Sequence, residues 1–213
     1  IDVTYVVPQQ EYGWIREHLA GELHVSPQLS TYYYGFNLTR APFKDQPGLR
    51  RALSLVIDRE RLTSAVTGVG ESPAYGWVPR GIADYTPQQF DYASRPYEDR
   101  VREARELYRE AGYSAERPLE VEIRYNTGEA HNRIAVAIAA MWKETLDIRS
   151  KLYAEEFRAL LASIQARTET EVFRSSWIGD FDDAYSFAQQ LQSDFGIESR
   201  PLSTVAPVVV KPE

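Results

Sequence analysis

The segment Trp177-Ile178-Gly179-Asp180-Phe181-Asp182-Asp183-Ala184-Tyr185-Ser186-Phe187 concentrates the side chains best able to do chemistry. It follows Glu171-Val172-Phe173-Arg174-Ser175-Ser176, which reads as a strand, and it precedes residues that read as a helix. Where a strand ends before a helix, α/β proteins commonly hold ligands. Asp180 there can pair with a cationic group through a charge-assisted bond. Arg174 lies six residues earlier, and its planar fork suits a carboxylate or a carbonyl. His131, at another helix start, is a second candidate for a carboxylate. Trp177, Phe157 and Tyr34 can line tolerant pockets.

Each residue also has a plainer reading. An acid before a helix is often a cap. Arg174 can be a structural ion-pair partner, and His131 a first-turn surface residue. Trp177 and Phe157 fit a core, and Tyr32 to Tyr34 fit strand packing. Asp182 and Asp183 read as turn and cap residues. Residue types alone leave these alternatives open. Alternation adds a condition: Arg174 and Ser176 fall on one face of the strand, Ser175 and Trp177 on the other. Convergence of Arg174, Trp177 and Asp180 therefore predicts a bend or bulge between Ser176 and Gly179.

Enzyme readings fare worse. Asp180, Asp182 and Asp183 lack the spacing and terminal Glu of a calcium loop. His18, His24 and His131 show no metal-ligand spacing, and no nucleotide or nucleophile-elbow motif occurs. No metal or cofactor is expected. A hydrolase using two carboxylates stands as a distant alternative.

The elements that must position these residues follow from periodicity. Strands are expected over Ser30–Asn37, Leu119–Tyr125, Ile148–Tyr153 and Val172–Trp177. Helices are expected near Glu11–Leu19, from Asp45 and Pro47 to Ile57, from Asp58 to before Gly68, and over Tyr97–Ala111, Glu129–Leu146 and Phe157–Ala166. Residues 68 to 97 form a long excursion rich in Gly, Pro and Tyr, which is usually functional or packed on itself. The order predicts an α/β fold, with residues 1–198 as one unit. Residues 199–213 form a proline-rich tail or an edge strand.

Composition narrows the partners. A net charge of -7 over 213 residues speaks against nucleic acid. The absence of cysteine excludes disulfides, thiolate metal sites and cysteine nucleophiles. No apolar run approaches the roughly 18 residues of a membrane helix. An opening on Ile1 reads as an internal start, from processing or from a larger chain.

Several segments, in order, resemble the extracytoplasmic oligopeptide-binding proteins of ABC importers, the family 5 solute-binding proteins. Tyr32-Tyr33-Tyr34-Gly35-Phe36-Asn37 with Ala41-Pro42-Phe43 resembles that family's Y-x-x-F-N…P-F entry. Leu49 to Arg59 resembles its R-x-A-l-x-x-A-I-D-R helix, and Glu103 to Tyr113 its A-k-x-L-L-x-e-A-G-y helix. Tyr125-Asn126-Thr127 with His131 resembles the oligopeptide branch. Trp177 to Phe187 resembles its W-x-x-D-Y-x-D-P-x-x-F segment. The resemblance covers residues 1 to 198 but less than half of a full member.

It implies one α/β lobe of a periplasmic-binding-protein-like clamshell, a mixed sheet flanked by helices, that closes on its ligand with a second lobe by a hinge. It implies an oligopeptide ligand whose free amino terminus meets Asp180. It also implies a missing lobe as partner, ABC importer membrane subunits, an extracytoplasmic location and no enzymatic activity. The lobe by itself should bind weakly. A scaffold or interaction domain derived from the same lobe is the alternative. Three departures are notable: Ala184 replaces a proline, which should loosen the turn after Asp183. Asp147 replaces a helix-capping glycine. Gly35 replaces larger residues, which should open a side-chain pocket.

Overall fold

A six-stranded mixed sheet in the order β2-β6-β1-β5-β3-β4 organises the chain in the computed structural model. The structure describes residue 4, residues 7–26 and 28–192, and the backbone of 205–210. The strands are β1 (Ser30–Phe36), β2 (Ser72–Pro73), β3 (Glu120–Asn126), β4 (Arg149–Glu155), β5 (Val172–Ile178) and β6 (Val205–Val210). The helices are α1 (Tyr12–His18), α2 (Pro47–Leu55), α3 (Arg59–Arg61), α4 (Tyr97–Glu110), α5 (Glu129–Leu146), α6 (Phe157–Ala166) and α7 (Tyr185–Ala188).

Local chemistry explains most boundaries. Pro47 opens α2, where its fixed φ suits a first turn. Asp58 caps α3 by accepting from the Arg61 N–H at 2.9 Å, and Gly68, at φ 64, ends the π-helical turn that follows. Glu156 caps α6 by accepting from the Arg158 N–H at 2.8 Å. Asp147 ends α5 in the left-handed conformation, φ 57, so it does the capping work of the glycine it replaces.

The sheet buries both faces unequally. On one face Tyr32, Tyr34 and Phe36 join Val121, Ile123 and Val172 against α2, α4 and α5, with Trp142 fully buried. On the other, Tyr33 and Phe173 pack against Leu160 and Ile164 of α6 and against Trp77. The space over Gly35 is not an open pocket. A Cβ there would stand 2.3 Å from Phe173 Cζ, because Gly35 pairs directly with Phe173 and the ring lies across it.

Two findings at the sheet's edge depart from expectation. The excursion contributes the two-residue β2. The tail strand β6 lies between β1 and β2 rather than at an edge. Its register against β1 shifts between Tyr32 and Tyr33, opposite Pro207, where the missing N–H interrupts the ladder. Residues 199–204 and 211–213 lie outside the described part.

The topology also decides where a ligand can be met. β3 runs parallel to both β4 and β5, and β1 runs antiparallel to β5. The carboxyl ends of β3, β4 and β5 therefore share one end of the sheet, leading into α5, α6 and α7. Open α/β sheets present binding groups at that end.

Candidate functional site

Asp180 stands two residues past β5 with its side chain exposed. The backbone around it is fixed. The Gly179 N–H donates to Leu29 O at 2.8 Å, which extends the β1–β5 pairing by one step. The Asp180 N–H donates to Ser186 Oγ at 2.8 Å, and Ser186 is wholly buried. Gly179 is required here, since a Cβ would come within 2.9 Å of the buried Phe187 ring. The cap of α7 is supplied by another acid: Asp183 Oδ1 accepts from the Tyr185 N–H at 2.7 Å. Asp182 accepts from the Ala83 N–H at 3.3 Å. The Asp180 carboxylate has no donor of its own among the described residues. Ala184 holds φ -56, the value a proline would impose, so the turn keeps its shape despite the substitution.

Exposed apolar side chains flank Asp180 along the chain: Ile178, Phe181 and Tyr185 are each about half exposed, at 54%, 49% and 48%. Exposed apolar side chains next to an acid are the mixture that a ligand or a facing domain would cover.

Arg174 belongs to a second cluster. Its Nη1 donates to Asn126 Oδ1 at 2.8 Å and its Nη2 to Ser176 Oγ at 3.2 Å. Its guanidinium lies over the Tyr32 ring, 4.6 Å from the centroid. The same ring stacks on His131 at 5.8 Å, with the Tyr32 hydroxyl 3.3 Å from His131 Nδ1. Burial pushes the Tyr32 hydroxyl above its ordinary pKa, and the Arg174 charge offsets part of that. Tyr32 is therefore neutral at pH 7 and fixes both cation and imidazole. Arg174 and His131 are only partly buried, so this corner can meet an anion.

The six residues picked out by sequence thus separate. Arg174 and His131 come together through Tyr32. β5 pairs with β1 in unbroken register from Ser30↔Ile178 to Phe36↔Val172, with no bend before Gly179. Arg174 and Trp177 consequently lie on opposite faces, and the expected convergence of Arg174, Trp177 and Asp180 does not occur. The strand is regular because every residue of β5 has a paired partner in β1. Trp177 is half-buried, and its indole N–H donates to Ser186 O at 2.7 Å, so it braces the Asp180 loop. Tyr34 is 1% exposed and sits in the core, where burial raises its hydroxyl pKa well above normal. It presents no surface to a ligand. Phe157 is 52% exposed at the start of α6.

Sequence reasoning assigned Tyr32 to packing only. Alternation along β1 puts Tyr32 and Tyr34 on one face, but the partner strand that brings Arg174 to them is a matter of register. No signal in the sequence marked Trp77, whose indole reaches this loop from the excursion.

Comparison with known proteins follows the same outline. The family model for bacterial extracellular solute-binding proteins, family 5 middle, matches residues 1–199. The periplasmic murein peptide-binding protein MppA of Escherichia coli is 36% identical over 193 residues, which are 91% of this chain and 36% of that protein. The periplasmic oligopeptide-binding protein OppA of Haemophilus influenzae is 36% identical over 198 residues, again 91% of this chain and 36% of the relative. This chain thus spans about a third of the length of these relatives. The structure of E. coli murein tripeptide binding protein MppA superposes with a TM-score of 0.89 at 30% identity, covering 99% of this chain and 48% of that one. H. influenzae OppA in complex with RPPGFSPFR superposes with a TM-score of 0.84 at 34% identity, covering 92% and 38%.

Proposed function

Because the chain belongs to the bacterial extracellular solute-binding proteins of family 5, we propose that it supplies one wall of a peptide-binding site. In this reading it serves an ABC importer outside the cytoplasm, as a binding protein and not an enzyme. The relatives support the ligand class: one is named for murein peptides, another for oligopeptides, and a solved structure holds a nonapeptide. Among the described residues no helix is long and apolar enough to cross a membrane.

The observation that carries the reading is the exposed Asp180 carboxylate. Its backbone is immobilised at the carboxyl end of β5, its capping work is done by Asp183, and it has no partner among the described residues. Such a group is pre-organised for a cation. A peptide's α-ammonium is the cation that this ligand class offers. Arg174 and His131, fixed on Tyr32, take a carboxylate or carbonyl of the same ligand.

One wall gives part of the affinity. An exposed ion pair contributes about 0–1 kcal/mol, while micromolar binding needs roughly 8 kcal/mol. A second wall that excludes water strengthens the pair. The 213-residue chain is therefore expected to bind trialanine no more tightly than about millimolar by titration calorimetry. Adding the remaining lobe in trans restores tight binding, and Asp180→Ala removes that gain. Micromolar binding by the monomeric chain would sink the one-wall reading. Equal affinity for trialanine and N-acetyl-trialanine in the restored complex would sink the amine assignment.

A further inference from the structure

We propose that Trp77 is a positioning residue for Asp180. The inference rests on the reading of Asp180 as the amine partner. It assigns a task to the excursion of residues 68–97, which the sequence marked as unusual.

The base of the excursion is anchored. Arg59 is fully buried, with its guanidinium 5.0 Å from the Tyr75 ring centre and 5.7 Å from that of Tyr92. Tyr75 and Tyr92 are themselves buried and meet edge-on. Two residues past Tyr75, Trp77 is tied to β1 in two ways. Its main-chain carbonyl accepts from Thr31 Oγ1 at 2.8 Å, and its ring meets Tyr33 edge-on at 4.8 Å. From this fixed place the indole N–H reaches across and donates to Phe187 O at 2.8 Å.

That carbonyl matters because of what α7 is. A helix of four residues has few donors for its last carbonyls: the one Gln189 N–H is shared between Tyr185 O and Phe187 O. Two indoles meet them in succession: Trp177 takes Ser186 O at 2.7 Å and Trp77 takes Phe187 O. The residue between these contacts and Asp180 is Ser186, whose hydroxyl accepts the Asp180 N–H. The excursion touches the loop again where the Ala83 N–H meets Asp182. Trp177 is local, since it ends the strand that leads into the loop. Trp77 is a long-range tie that holds the far end of the loop relative to β1, as the Gly179–Leu29 bond holds its near end. A loop that leaves its binding geometry part of the time lowers apparent affinity by the fraction of time it is absent.

The test separates positioning from recognition. Amide hydrogen exchange followed by NMR on the 213-residue chain needs no ligand. Trp77→Phe keeps the ring against Tyr33 but removes the donor. We expect it to speed exchange at Asp180 about tenfold while leaving β3 and β4 amides unchanged. Thr31→Val, which frees the Trp77 carbonyl from the other side, should act in the same direction. Chemical-shift titration with trialanine and N-acetyl-trialanine then reads the preference for a free amine, at most about fivefold for an exposed pair, which should fall toward unity in Trp77→Phe. Unchanged exchange at Asp180 in both variants overturns the positioning role. Faster exchange in chains that never preferred the free amine, wild type included, overturns the amine assignment and leaves the tie intact.

Discussion

The Asp180 loop and the Arg174 cluster stand at the same end of one sheet and are built in opposite ways. In the loop, the protein holds the backbone and leaves the charge alone: Asp180 is fixed through its N–H, and its carboxylate is exposed. In the cluster, the protein holds the charge itself, through Asn126, Ser176 and the face of Tyr32. The first arrangement gives a ligand an unengaged partner whose strength depends on what covers it. The second gives an oriented fork whose freedom is already lost. A carboxylate can be left bare in water at little cost. A long arginine has more rotamer freedom to lose, so orienting it in advance lowers the cost at binding.

Breaking the first arrangement should have the largest effect on binding. With the ligand enclosed by a second wall, Asp180→Ala is expected to cost about 2–5 kcal/mol of affinity for a free-amine peptide. In the 213-residue chain alone the same change should cost at most about 1 kcal/mol. Calorimetry on both forms compares them. Equal losses would mean that coverage does not govern this charge.

Arg174→Lys tests the second arrangement. Lysine keeps the charge and loses the fork. The expected loss is about 1–3 kcal/mol, divided between stability and affinity for a peptide with a free carboxylate. Urea unfolding, together with titration of acid and amide forms of trialanine, gives the division. A loss in stability alone would make Arg174 a structural residue.

Gly35→Ala touches neither region directly. Its Cβ would strike the Phe173 ring on the α6 face, at an overpacking cost of about 1–3 kcal/mol. Denaturant unfolding should register that cost while the free-amine preference stays unchanged. A changed preference would show that strain at Phe173 reaches Trp77 through Tyr33, which packs in the same cluster.

The smallest effect belongs to charges paired away from the site. Burial alone would raise the Glu103 pKa, but hydrogen bonds from Arg51 and Arg95 outweigh it and hold the carboxyl below its ordinary 4.5. A depressed pKa contributes stability that is present above 4.5 and lost as pH falls through the folded value. Glu103→Gln should therefore lower stability at pH 7 by under about 1 kcal/mol and flatten the acid limb of the stability curve. A steeper acid limb in the variant would reverse the sign of this account.

The outline of both regions was legible in the residues. Alternation marked β3 and β4, helical period marked α5, and Asp180 was placed at a strand end. These features rest on period and local chemistry, which a short window of sequence carries. Parity even gave the warning that Arg174 and Trp177 face opposite ways unless the strand bends.

What the sequence could not decide was which strands meet and in what register. The β1–β5 pairing keeps β5 straight, brings Arg174 to Tyr32 and leaves Trp177 on the far face. The insertion of β6 between β1 and β2 and the reach of Trp77 to a carbonyl 110 residues away are decisions of the same kind. Pairing between distant segments is set by the packing of both faces at once, and no window of neighbouring residues contains it. The chain alone therefore determined which groups are available at the site. The tertiary structure determined which of them stand together, because side-chain direction in a sheet is fixed by register and register is not local.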